Sequence, residues 1–176
     1  MTNNLPYQRN ITKIPVNLPA GVQHKIPNTK KGFIQREIIE EFLPRFGKGC
    51  EVLYIGDTSH KILHINEAQL EAIGFFKLMH DELPDIVAFN KEKNWLYLIE
   101  AVHSGGPISE IRRLELKKLL HACTAELIFI TAFISKQEYA KWAGKIAWET
   151  EVWMADNPDH MIHFNGNKFM GPYLTE

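Results

Sequence analysis

Two carboxylates in the middle of the chain have a spacing that could hold a cation. Asp85 stands at the start of an apolar run, Pro84–Phe89, and Glu100 stands late in the next run, Trp95–Val102, with 14 residues between them. The short polar connection predicts an antiparallel hairpin, in which the start of one strand lies beside the end of the next. Two carboxylates near a third oxygen ligand suit Mg²⁺, which can activate a water and neutralise charge on a phosphodiester.

The same two residues also fit a purely structural role. Glu100 lies within an otherwise apolar strand, where a charge is costly unless it is paired or bound to a metal. Arg112 or Arg113, which begin the next helix, could supply that pairing. A structural or interaction protein could therefore use Asp85 and Glu100 only in salt bridges, and spacing alone leaves both interpretations open.

The elements around this hairpin predict one α/β domain. Apolar residues recur at helical spacing from Phe33 to Phe46, and Gly47 ends the run. Gln35 falls inside that apolar arc, so we expect it to make a buried structural bond or to belong to a site. The remaining elements predicted are strands at Glu51–Ile55, Leu127–Phe133 and Glu149–Met154, and helices at Glu67–Ile73, from Ser109 to near Cys123, and at Ser135–Ile146. The core order αβββαβ indicates a mixed sheet flanked by helices.

Composition limits the class of protein. The chain has 176 residues, 45% of them hydrophobic, and a net charge of −1, as expected for one globular domain. No apolar run is long enough for a membrane helix, the start lacks a signal-peptide core, and two cysteines cannot form a disulfide framework, so we expect a cytoplasmic protein.

The first 36 residues carry six basic side chains and no acidic one. Four prolines lie within residues 1–30, which we interpret as an extended arm with one short strand near Ile11–Val16, preceding a domain at residues 31–176. The basic charge is consistent with a polyanion partner, and a solvated tail is the alternative.

Several strings identify a family. Pro84-Asp85 followed by Glu100-Ala101-Val102 resembles the PD-(D/E)XK nuclease motif, and the element order matches the core of that superfamily. More specifically, seven strings resemble the restriction endonuclease family named for BsuBI and PstI: Ile38–Phe46, Leu53–Thr58, Leu83–Val87, Asn94–Val102, Phe129–Phe133, Ile146–Trp153 and Pro158–Gly166. The resemblance runs from about residue 30 to the end of the chain.

The resemblance implies a Mg²⁺-dependent type II restriction endonuclease that cleaves duplex DNA at a short palindrome, usually as a homodimer. Asp85, Glu100 and the carbonyl of Ala101 would hold the metal. Family members are longer, so a recognition domain or subunit could act in trans. The alternative is a truncated or inactive remnant that binds DNA without cutting it.

Further site residues follow from this assignment. Val102 occupies the position of the motif's lysine, so a lysine or other donor must come from elsewhere if the chemistry needs one; Lys61 is the first candidate and His103 the second. The helix after the metal strand offers three basic side chains for DNA phosphates: Arg112, Arg113 and Lys117. Asp57 and Gln35 would support the centre without holding the metal themselves.

Overall fold

The computed structural model describes residues 11–57, 62–75 and 82–164. Its strands are β1 (Lys13–Asn17), β2 (Gln23–Pro27), β3 (Glu51–Gly56), β4 (Ile62–Ile65), β5 (Ile86–Asn90), β6 (Trp95–Ala101), β7 (Glu126–Phe133), β8 (Thr150–Met154) and β9 (Met161–Phe164). Its α-helices are α1 (Lys30–Glu37), α2 (Leu43–Phe46), α3 (Glu67–Ala72), α4 (Glu110–Leu119) and α5 (Lys136–Trp142). None of the described helices is long and apolar enough to cross a membrane.

Strands β3 to β9 form one mixed sheet in the order β4-β3-β5-β6-β7-β8-β9. β5 and β6 form the predicted antiparallel hairpin, with Ile86 opposite Ile99. β6, β7 and β8 run parallel, and α4 and α5 make the two crossovers between them. β7 lies inside the sheet, which accounts for its nearly continuous apolar sequence.

The two faces of the sheet are covered by different helices. Ile99 and its neighbours on one face pack against Ile38 and Phe42, which belong to the helical segment after α1. Leu98 and its neighbours on the other face pack against Leu116 of α4. The alternation of side chains along β6 therefore assigns one face to α1 and the other to α4.

Helix α1 is capped at its N-terminus and runs on into a second helical segment at its C-terminus. The Thr29 side chain caps it by accepting a hydrogen bond of 3.0 Å from the amide of Gly32. Gly32 must lack a side chain, because a Cβ there would overlap the carbonyl oxygen of Pro27. After Glu37 the helix continues through a π-helical turn, Ile38–Phe42, into α2.

The segment predicted as an extended arm contains a packed hairpin. β1 and β2 pair in antiparallel register, and Val16 and Ile26 are fully buried against the helical face of the core. The backbone amide of Asn17 donates to Glu40 at 2.9 Å, which joins the hairpin to the helix. The sequence did not predict strand β2. Polar residues precede Ile26, its one buried residue, and the burial of Ile26 is evident only from the tertiary packing.

Candidate active site

Asp85 and Glu100 lie side by side at the end of the sheet. Asp85 directly precedes β5, and the β5–β6 register continued by one residue places it opposite Glu100. Their side chains are 13% and 16% exposed, respectively. The two carboxyl groups are close enough to share a hydrogen bond when Glu100 is protonated. The structure thus brings together the two carboxylates that the hairpin pattern predicted to converge.

Both oxygens of Asp85 have partners. Oδ2 accepts a hydrogen bond of 2.8 Å from the backbone amide of Ala101, and Oδ1 contacts the ammonium of Lys31. Lys31 belongs to α1, so it reaches Asp85 from the face of the sheet that this helix covers. The carboxylate orientation is therefore determined by β6 on one side and by α1 on the other.

Glu100 is paired from the opposite face. Its Oε1 accepts from Nε of Arg112 at 2.9 Å and lies 2.8 Å from a terminal nitrogen of the same guanidinium, which also donates to the carbonyl of Glu82. Burial and the neighbouring charge of Asp85 raise the pKa of Glu100 to about 7, although Arg112 acts in the opposite direction. The Arg112 pairing considered in the sequence analysis is therefore present, whereas Arg113 contacts Glu100 in none of the described hydrogen bonds or ion pairs.

The donor set suits a hard cation. Two carboxylates meet at the carboxyl end of β6, beside the backbone of Ala101, and Lys31 and Arg112 balance their charge. Within residues 11–57, 62–75 and 82–164, no group of three or more His, Cys, Asp or Glu side chains could hold a metal. Two carboxylates with a carbonyl and waters fit Mg²⁺, whereas a zinc site uses three or four protein ligands.

Gln35 makes a buried structural bond next to this centre. Its side-chain amide donates to the carbonyl of Gly56 at 2.6 Å, and the amide of Gly56 donates to the carbonyl of Asp85 at 2.9 Å. Gln35 thereby connects α1 to the end of β3 and, through it, to the backbone of Asp85. Asp57 follows Gly56 and is half-buried.

The position of the motif's lysine is occupied by a buried apolar residue, Val102. Val102 is 4% exposed and lies in an apolar cluster with Phe133 and Ile146. Of the two predicted replacements, Lys61 lies outside the described residues. His103 is exposed and lines a cavity of about 570 Å³ together with Phe33 of α1. Among the described residues, His103 is not a hydrogen-bond partner of Asp85 or Glu100.

Lys31, whose ammonium contacts Asp85, is not among the site residues that the sequence predicts. Nothing in its local pattern marks it, because it stands in the basic segment among five other cations. The excess of positive charge before residue 37 was the available signal, and it could not specify which side chain faces a carboxylate.

The three predicted phosphate-contacting residues occupy different surroundings. Arg112 is engaged by Glu100. Arg113 contacts Glu110 at 2.6 Å and Glu149 at 3.3 Å, so it links α4 to the start of β8. Lys117 is exposed on the outer surface of α4.

The fold matches that of a known class of nuclease. The chain is similar to the SdaI restriction endonuclease, with a TM-score of 0.84 and 39% sequence identity over 92% of this chain and 51% of that one. The likeness confirms the predicted restriction-endonuclease fold.

The family follows from the sequence comparisons. The BsuBI/PstI restriction endonuclease domain matches residues 14–167, and the chain belongs to that family. It is 42% identical to the type II restriction enzyme BsuBI of Bacillus subtilis over 166 residues, covering 94% of this chain and 52% of BsuBI. It is 30% identical to the type II restriction enzyme AplI of Arthrospira platensis over 171 residues, covering 93% of this chain and 52% of AplI. The chain therefore spans about half the length of these relatives.

Proposed function

We propose that this chain is the catalytic part of a type II restriction endonuclease that hydrolyses phosphodiester bonds of duplex DNA with Mg²⁺. The observation that carries the proposal is the pair of partly buried carboxylates, Asp85 and Glu100, opposite each other at the ends of neighbouring strands. Membership of the BsuBI/PstI family supports the reaction class. The relatives' names support DNA cleavage by longer proteins of this family.

In this proposal, Asp85, Glu100 and the carbonyl of Ala101 hold the cation. Bound Mg²⁺ would act as a Lewis acid: it would lower the pKa of a water molecule and neutralise charge on the phosphate. The Ala101 amide keeps one carboxylate oxygen of Asp85 in place, and Gln35 holds the backbone behind it. Arg112 holds Glu100 in position and stabilises its ionised form, which is the form that binds a cation.

The partners are part of the same proposal. Duplex DNA with a short palindrome is the substrate, a homodimer would present one centre to each strand, and the cytoplasm is the site of action. Because the chain spans about half of its relatives, recognition would use a further domain or subunit in trans. Lys117 is exposed on α4 and takes part in none of the described side-chain hydrogen bonds or ion pairs, so it is the proposed phosphate contact.

A plasmid-nicking assay tests the function. Supercoiled DNA is incubated with the chain in Mg²⁺ or in EDTA, using the wild type, Asp85→Asn, Glu100→Gln and the charge-matched control Glu92→Gln, whose side chain is exposed at the far end of the hairpin. We expect Mg²⁺-dependent nicking by the wild type and the control, and a loss of about 100-fold or more in the two site variants.

Three other outcomes contradict the proposal. Cutting that survives both site substitutions shows that the centre lies elsewhere. A wild type that binds duplex DNA at low salt without cutting it indicates the inactive remnant, and absent DNA binding indicates a structural role for the carboxylate pair.

A further inference from the structure

The positively charged side chain that contacts Asp85 is Lys31. It belongs to helix α1, which the nuclease motif does not include. We propose that Lys31 is the catalytic cation of this centre, with its ammonium donating hydrogen bonds to a non-bridging oxygen of the scissile phosphate. This inference rests on the proposed function. In the reaction Lys31 keeps its proton and forms no covalent bond. It stabilises the negative charge that develops as the water oxygen bonds to phosphorus and gives up a proton to solvent, while the P–O ester bond breaks and the leaving oxygen takes up a proton from solvent.

Strand β6 offers no alternative to Lys31. The position two residues after Glu100, on the same face, is Val102, which is buried in the cluster with Phe133 and Ile146. A lysine there would have to bury its charge among apolar side chains. The positive charge at the centre must therefore come from another element.

The packing of helix α1 restricts the position of Lys31. Ile34 is 2% exposed in the core, and Gln35, one turn after Lys31, is bound to the carbonyl of Gly56. Residues four apart lie on the same face of a helix, so the bond that anchors Gln35 also directs Lys31 towards the strand ends. The Lys31 side chain is 17% exposed, so it is partly open to solvent beside Asp85.

Arg112 is a less suitable cation for the phosphate. Its guanidinium is engaged by Glu100 and by the carbonyl of Glu82, on the α4 face. Lys31 carries three donors on one nitrogen. Among the described residues, the acceptor that this nitrogen contacts is Asp85. A phosphate held at the carboxylate pair would lie within reach of the remaining donors.

Single-turnover cleavage by Lys31→Met tests this role. Lys25→Met removes the same charge from an exposed position on β2 and is the matched control. We expect Lys31→Met to cleave about 100-fold more slowly at saturating DNA, with DNA affinity within about threefold of the wild type, because its effect lies in the transition state. Equal cleavage rates for Lys31→Met and Lys25→Met overturn the proposal.

Chemical rescue separates a lost charge from a damaged helix. Lys31→Cys is made together with Cys123→Ser and treated with 2-bromoethylamine, which forms a C–S bond with release of bromide and restores an ammonium of nearly the same length. Cys50 is 4% exposed, and burial raises the pKa of its thiol, so it does not compete. We expect aminoethylation to recover at least about a tenth of the rate; no recovery in a folded protein contradicts the proposal.

A binding measurement without DNA gives a readout independent of cleavage. The Lys31 ammonium and a cation share Asp85, so Lys31→Met is expected to bind Mn²⁺ about fivefold more tightly than the wild type, by calorimetry. Unchanged affinity overturns the placement of Lys31 at the metal-binding carboxylate. If the wild type and Lys25→Met neither cut DNA nor bind Mn²⁺, the proposed function itself has failed, and the Lys31 role fails with it.

Discussion

Replacing Glu100 with Gln should stabilise the metal-free protein at neutral pH. Burial and Asp85 raise the pKa of Glu100 from 4.5 to about 7, so the folded environment favours the protonated carboxyl over the ionised one. This shift corresponds to about 3 kcal/mol at a pH above both values. The neutral Gln side chain resembles the protonated carboxyl of Glu100 and keeps an oxygen that accepts from Arg112. An amide does not reproduce the protonated carboxyl fully, so only part of this free energy is regained. We therefore expect a gain of about 1–2 kcal/mol in the free energy of unfolding at pH 7.5.

The pH dependence gives the sharper form of this prediction. The pKa of Glu100 is raised in the folded state. The stabilisation that this gives to the folded protein is therefore fully present below about pH 4.5 and is lost as the pH rises through about 7. Urea unfolding in EDTA, at several values from pH 4.5 to 7.5, should show wild-type stability falling relative to Glu100→Gln across that range. Titrating groups that do not interact with Glu100 are common to both proteins and cancel in the difference.

Glu92→Gln changes an exposed carboxylate and should follow the wild type at every pH within about 0.5 kcal/mol. Parallel curves for wild type and Glu100→Gln would refute the reasoning, because they would mean that Arg112 fully offsets burial and the Asp85 charge. A variant less stable than wild type at pH 7.5 would have the same meaning.

Three further predictions concern the elements around the site. Gly32→Ala should destabilise the fold by about 1–3 kcal/mol, seen as a lower Tm, because its Cβ would collide with the carbonyl of Pro27; an unchanged Tm would contradict the packing of α1. Gln35→Leu should cost about 1–3 kcal/mol by leaving the Gly56 carbonyl without its donor, measured by urea unfolding, and a neutral result would show that water replaces it. Cys50 should resist iodoacetamide at pH 8 in the native state, since burial raises its thiol pKa to about 12, and should react in urea; fast native labelling would contradict its burial.

The sequence by itself determined the hairpin and the meeting of its two carboxylates. Alternating faces and a short polar turn define the register between neighbouring strands, so Asp85 and Glu100 could be placed opposite each other before any packing was known. The burial of Gln35 followed from helical periodicity in the same way. The family strings agreed with these local patterns, and the family and fold class are confirmed.

Only the tertiary structure decided which charges neutralise the carboxylates. Lys31 is distant from Asp85 along the chain, and its contact depends on how α1 packs across β5 and β6. Arg112 and Arg113 were both candidates to pair with Glu100. The rotation of α4 about its axis places Arg112 beside Glu100, whereas Arg113 pairs with Glu110 and Glu149. Local periodicity specifies the face on which a residue lies, whereas the partner across that face depends on the packing of elements distant in sequence.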